Sequence, residues 1–105
     1  MNVRRKLVYK VTYPNGKFYV GVDFIGTSVS YFGSPGQKAK DAIAADHADC
    51  RHDMTVRKEI LWECETATDA EARAKEIELI VALGANNPET GYNRTPRFKP
   101  PKDAR

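Results

Sequence analysis

Apolar and aromatic residues dominate two short runs near the start of the chain, "LVYKVTY" (7–13) and "KFYVGVDF" (17–24). They flank Pro14-Asn15-Gly16, and together they predict an antiparallel hairpin. Two turns fit this spacing. A two-residue turn centred on Asn15-Gly16 sets Thr12 opposite Tyr19 and sends Tyr9 and Tyr19 to opposite faces. A type I turn on Pro14-Asn15 with Gly16 left-handed after it pairs Tyr13 with Lys17 and Val11 with Tyr19. Proline favours the first central position of a type I turn and glycine the left-handed one, so the second arrangement is preferred. It places both tyrosines on one face, with Gly21 directly opposite Tyr9, and leaves a small polar shelf.

Beyond the hairpin, "IGTSVSYFGSPG" (25–36) reads as a loop over the sheet with a short extended piece at residues 29–32. Residues 38 to about 47 are alanine-rich and predict a helix. In residues 56–64, Val56, Ile60 and Trp62 alternate with Arg57, Glu59 and Glu63, which predicts a third strand with one half-buried face and Trp62 in the core. Thr68 followed by Glu71 is a capping-box pattern, and Ala70, Ala74, Ile77, Ile80 and Val81 recur at helical spacing until Gly84 stops the helix. A turn-rich segment closes the domain. The elements predict an α/β domain of α+β type: a central antiparallel sheet of at least three strands, flanked by helices, over residues 1–93. Residues 94–105 read as a basic, proline-rich tail without packed structure.

Composition narrows the classes of function. A chain of 105 residues with 41% hydrophobic and 30% charged residues suits one globular domain, and no apolar run is long enough to span a bilayer. With no signal-peptide pattern after Met1, a cytoplasmic location is expected, without membrane association. Cys50 and Cys64 are too few for a disulfide framework and read as free thiols. The net charge is only +3, yet cations gather at both ends: Arg4, Arg5, Lys6 and Lys10 at the start, and Arg94, Arg97, Lys99, Lys102 and Arg105 against Asp103 at the finish. Such ends suit a polyanion or a solvated terminus. His47, Cys50, His52 and Cys64 are zinc-type ligands by chemistry, but their spacing matches no paired Cys-x-x-Cys arrangement. They read instead as a polar helix end in solvent and a strand terminus, with His47 or His52 as a remote candidate base.

With the hairpin, the capped helix and "GYN" (91–93) in order, the chain resembles the GIY-YIG nuclease family over residues 7–93. "LVYKV" stands at the first signature, with Leu7 in the glycine position and Tyr9 in the tyrosine position. "YVG" (19–21) matches the second, "KEIELI" (75–80) looks like the helix that carries the glutamate, and Asn93 falls at the asparagine. The resemblance implies an enzyme that hydrolyses DNA phosphodiester bonds with one Mg2+ or Mn2+. Such a reaction needs a water nucleophile, counter-charge for the pentavalent transition state and help for the leaving oxygen. On that basis Glu76 rather than Glu78 would bind the metal, because "E-x-x-L-I" fits the frame at Glu76 and residues two apart point to different helix faces. Tyr9 would act as general base if a cation or metal-bound water offset tyrosine's ordinary pKa of ~10, and Tyr19 would position water or phosphate. Asn93 would position phosphate or helix.

Family members usually carry an arginine on the first helix, and from residue 21 to residue 50 this chain has none. Lys38, Lys40 or Arg57 would have to supply that charge, without (for lysine) a bidentate fork. Lys10, Lys17 and Gly21 join Lys40 as expected substrate contacts. Two further readings stand beside the endonuclease. One is a catalytically inactive nucleic-acid-binding module, motivated by Leu7 and the absent arginine; the other is a protein-interaction domain. A nuclease this small would be a standalone enzyme of weak intrinsic specificity, or would work as a homodimer or with a separate DNA-targeting partner, and would suit a bacteriophage or mobile element in a bacterial or phage-infected cell.

Overall fold

A computed structural model describes residues 5–25, 32–50 and 54–99, and Cys50 without its side chain. The extended piece expected at residues 29–32 falls outside these residues apart from Phe32, as do His52 and the end of the tail. The elements run β1 (Lys6–Thr12), β2 (Phe18–Asp23), α1 (Gln37–Asp46), β3 (Arg57–Cys64) and α2 (Asp69–Leu83). The three strands form one antiparallel sheet in the order β2-β1-β3, so the chain has an α+β fold with β1 at its centre.

The hairpin takes the preferred turn. Val11 pairs with Tyr19 and Thr12 with Phe18. The Tyr13 N–H donates to Lys17 O at 2.9 Å, and Gly16 N–H donates to Tyr13 O at 2.8 Å. Gly16 has φ 89°, the left-handed value this turn requires. Tyr9 is paired with Gly21, and a Cβ built on Gly21 would collide with the Tyr9 hydroxyl. Gly33 closes over the same ring from the other side, where a Cβ would come within 2.7 Å of that hydroxyl. The expected polar shelf is therefore half covered: Tyr9 is 1% exposed, while Tyr19 stays half-buried with its ring centroid 6.5 Å away.

The opposite face of the sheet holds the main core. Val8 and Val20 pack with Ile80 of α2 and with Ala85, and Phe18, Val22, Leu61, Trp62 and Leu79 surround them. Each fully buried valine contributes about 1.5–3 kcal/mol by leaving water.

Two expectations about facing are corrected here. In β3, Trp62 pairs with Val8 but Ile60 pairs with Tyr9, so Leu61 is the extra residue of a β-bulge. The bulge sends Trp62 and Ile60 to opposite faces, and Ile60 is 45% exposed. In α2, the buried positions are Ala72, Glu76 and Ile80, one i, i+4 row. Of the expected stripe only Ile80 is buried; Ala70, Ala74, Ile77 and Val81 face outward. A glutamate in the middle of the inward row disguised it. The helix ends are as the sequence implies, with Thr68 and Glu71 forming a reciprocal capping box and Gly84 the left-handed stop.

No helix among the described residues is long and apolar enough to cross a membrane.

Candidate active site

The free edge of β2 is covered by the chain as it returns from α2. Phe18 N–H donates to Thr90 O at 3.3 Å, and Tyr92 N–H donates to Phe18 O at 2.8 Å. Asn93 then extends the pairing with its side chain: Oδ1 accepts from Val20 N–H and Nδ2 donates to Val20 O, both at 2.8 Å. A primary amide offers one acceptor and a donor side by side, as a strand backbone does, so Asn93 stands in for one more paired residue. Its own N–H is held by Ala85 O at 3.0 Å.

This anchoring places Asn93 and Arg94 on the wall of a cleft of about 330 Å³. Tyr19 enters the cleft from β2, and Arg73 and Glu76 enter from α2. Residues three apart on a helix are surface neighbours, and Arg73 Nη1 donates to Glu76 Oε1 at 2.9 Å. The glutamate side chain is only 10% exposed, against 55% for the arginine. A carboxylate so far from water needs such a partner. Arg73 is steadied in turn by the ring of Phe24, 5.1 Å from its guanidinium carbon. The charged lining residues are two arginines and one glutamate, which favours an anionic ligand.

Glu76 is the single carboxylate of the lining, and no group of three His, Cys, Asp or Glu side chains able to hold a metal occurs among the described residues. One carboxylate in a water-accessible cleft is a donor set magnesium accepts, since that ion keeps several of its waters. Zinc, which takes three or four protein ligands, does not fit.

Comparison with protein-family models, curated proteins and solved structures returned no match.

Of the residues singled out from sequence, the fold brings Tyr19, Glu76 and Asn93 to this cleft. Tyr9 lies beneath Gly33 and next to Tyr19, with Lys58 Nζ 4.9 Å from its ring centroid, and does not line the cleft. Gly21 is buried beside it. Lys38 and Lys40 are exposed on α1 and are not among the cleft's lining residues. Arg57 lies on β3, at the far edge of the sheet, 74% exposed and 3.5 Å from Glu59. Lys10 sits over Phe18 and approaches Glu59 at 3.9 Å. Lys17 pairs with Asp46 at 3.8 Å and lines a neighbouring cleft. Glu78 is exposed and pairs with Lys75, as expected for the outward position.

Sequence reasoning missed Arg73 as a site residue and counted Arg94 only as part of the tail. The i, i+3 spacing of Arg73 and Glu76, and the adjacency of Arg94 to Asn93, were the available signals.

His47 proves structural. It is 5% exposed rather than solvated. Its Nε2 accepts from Asn15 N–H at 3.2 Å, so Nδ1 carries the proton and donates to Ile43 O at 2.8 Å. Around it, the Tyr92 hydroxyl donates to Asp46 Oδ2 at 2.6 Å and accepts from Asn15 Nδ2 at 2.9 Å. Burial and the Asp46 hydrogen bond push Tyr92 up to about 12, and burial also raises Tyr13. The Tyr92 hydroxyl ties the hairpin turn to the end of α1, and the Tyr13 ring packs against His47 and Tyr92. Cys64 lies at the end of β3, half-buried, its thiol drawn below its usual value chiefly by a hydrogen bond with the Thr66 hydroxyl.

Proposed function

We propose that this protein is a metal-dependent endonuclease that hydrolyses DNA phosphodiester bonds at the cleft between β2, α2 and residues 93–96. The observation that carries the reading is the convergence of Tyr19, Arg73, Glu76 and Arg94 on one small cavity, with Asn93 holding its wall. A tyrosyl hydroxyl to orient water, two guanidinium groups for counter-charge and one sequestered carboxylate as a metal ligand suit phosphodiester hydrolysis.

Each residue has a task. Arg73 and Arg94 bind the non-bridging oxygens and neutralise the charge that builds in the pentavalent transition state; in comparable sites one such donor is worth roughly 10²- to 10³-fold in rate. Their planar donor sets suit a phosphate better than lysine would, and they take the task for which a first-helix arginine is absent. The Tyr19 hydroxyl orients the attacking water by hydrogen bonding; as the bond from that water to phosphorus forms and the bond to the 3′ oxygen breaks, the water's proton passes to solvent and the departing oxygen takes one up from solvent. Glu76 would hold the Mg2+ or Mn2+ ion, which would supply Lewis acidity toward the phosphoryl group. Tyr9, sealed under Gly33, is a positioning residue that fixes the orientation of the Tyr19 ring. Asn93 also positions, because both ends of its amide are committed to Val20.

The test is cleavage of supercoiled plasmid with magnesium or manganese by the parent chain and by Glu76→Ala. The expected result is nicking by the parent that is lost in the variant. A second reading, an inactive nucleic-acid-binding module, is favoured by the burial of Tyr9 and by the Arg73 contact that occupies Glu76 Oε1. It predicts salt-sensitive binding that survives Glu76→Ala, with no cleavage by either protein in any metal.

A further inference from the structure

A second cleft, of about 490 Å³, adjoins the first and shares the wall formed by Tyr92, Asn93 and Arg94. Its volume lies within the roughly 300–1,000 Å³ of sites that enclose small ligands. Lys17, Asp46, Arg94, Arg97 and Phe98 are among its lining. Lys17 and Asp46 are engaged with each other. Arg94 and Arg97 make no ion pair with any described residue, so among these residues the cleft keeps two unpaired cations.

The start of the basic tail forms the outer wall. Asn86 Nδ2 donates to Pro96 O at 2.8 Å, tying this segment to the turn after α2, and Pro96 and Phe98 are half-buried. A half-exposed aromatic ring beside two guanidinium groups, in a concavity of about 490 Å³ that is too small to enclose a double helix, matches the needs of one kind of ligand. A single nucleic-acid strand presents phosphates to cations and unstacked bases to aromatic faces. In a duplex the bases are stacked on each other and cannot reach Phe98.

Resting on the endonuclease reading of the adjoining cavity, we propose that this second cleft binds an unpaired nucleotide next to the cleaved phosphate. The strand passes over Arg94, Arg97 contacts the following phosphate, and the base stacks on Phe98. The preferred substrate is then DNA with a single-stranded stretch at the cut, such as a flap, a frayed end or a free strand, rather than continuous duplex.

Fluorescence anisotropy of a short fluorescein-labelled single strand, alone and annealed to its complement, tests this in EDTA, where binding is read without cleavage. Phe98→Ala is expected to weaken single-strand binding by about tenfold and to leave duplex binding unchanged. Phe98→Trp, which keeps an aromatic face, should retain single-strand affinity. Arg97→Gln should lower the magnitude of the salt slope for the single strand by about 0.7. Unchanged single-strand binding by Phe98→Ala, or an equal loss on duplex, would overturn the proposal, as would loss by Phe98→Trp equal to that of Phe98→Ala. Failure of the endonuclease reading looks different: a parent that binds the single strand in EDTA yet does not cut it with magnesium.

Discussion

The two edges of the sheet use the charged residues around them in opposite ways. At the β3 edge the cations are cancelled locally: Arg57 and Lys10 share Glu59, and Arg5 meets Glu63 at 3.3 Å and Glu65 at 2.7 Å. At the β2 edge the backbone is covered by residues 90–93, Arg73 is paired with the buried Glu76, and Arg94 lines the same cleft without an ion pair to any described residue. The difference shows that positive charge becomes a binding site through geometry and pairing, since exposed pairs in water contribute little either way. Arg57 was a natural candidate by sequence because it is a strand arginine with an unknown partner. Its place on the sheet puts it at the wrong edge for the cleft.

The largest contrast between the edges is expected in activity. Arg73→Ala should reduce plasmid cleavage by roughly 10²-fold or more, whereas Arg57→Ala should leave the rate within experimental error. Equal losses in single-turnover assays would mean that the two edges act together and that the cleft is not the reaction centre. Stability comes next. Asn93→Ala removes two hydrogen bonds that cover the β2 edge and should cost about 1–3 kcal/mol in urea unfolding, while Glu59→Ala at the β3 edge should stay within about 0.5 kcal/mol. Similar costs for both would place Asn93 outside the pairing described.

A smaller effect concerns Gly33. Substitution by alanine puts a methyl group against the Tyr9 hydroxyl at a residue with φ 98°. Its expected outcome is a lower cleavage rate with folding retained, as the covered tyrosine shifts against Tyr19. A rate equal to the parent's would remove the positioning role of Tyr9.

The smallest effect lies in alkaline solution. Tyr92 is raised in the folded chain, so the folded state holds the phenolic proton more tightly than the unfolded state does. The stability this contributes is complete below pH of about 10 and falls as pH rises toward about 12. Urea midpoints measured across that window should decline less steeply in Tyr92→Phe.

How much of this was legible beforehand differs by element. The hairpin register followed from Pro14, Asn15 and Gly16, because turn chemistry is local and fixes which residues face each other. The capping box at Thr68 and the stop at Gly84 were equally local. Facing in β3 was not, since one bulged residue at Leu61 inverts the alternation and nothing in "RKEILWEC" marks it. Facing in α2 was hidden for a related reason. The inward row holds Glu76, a charge that periodicity assigns to solvent, and the outward row holds Ile77 and Val81, which periodicity assigns to the core. A carboxylate kept from water by an arginine partner one turn away inverts the pattern, and apolar periodicity carries no sign of it.

The sequence by itself determined the elements, the hairpin register, the α+β class and the candidate set Tyr19, Glu76 and Asn93, because turn geometry, helix capping and short-range spacing depend on neighbours in the chain. Tertiary structure decided which cations reach the cleft, that Tyr9 is sealed under Gly33, that His47 is structural and that the tail's first residues build a second cleft. Those outcomes depend on contacts between residues far apart in the chain, such as Asn93 with Val20 and Tyr92 with Asp46, and on the pairing of charges. No local pattern encodes them.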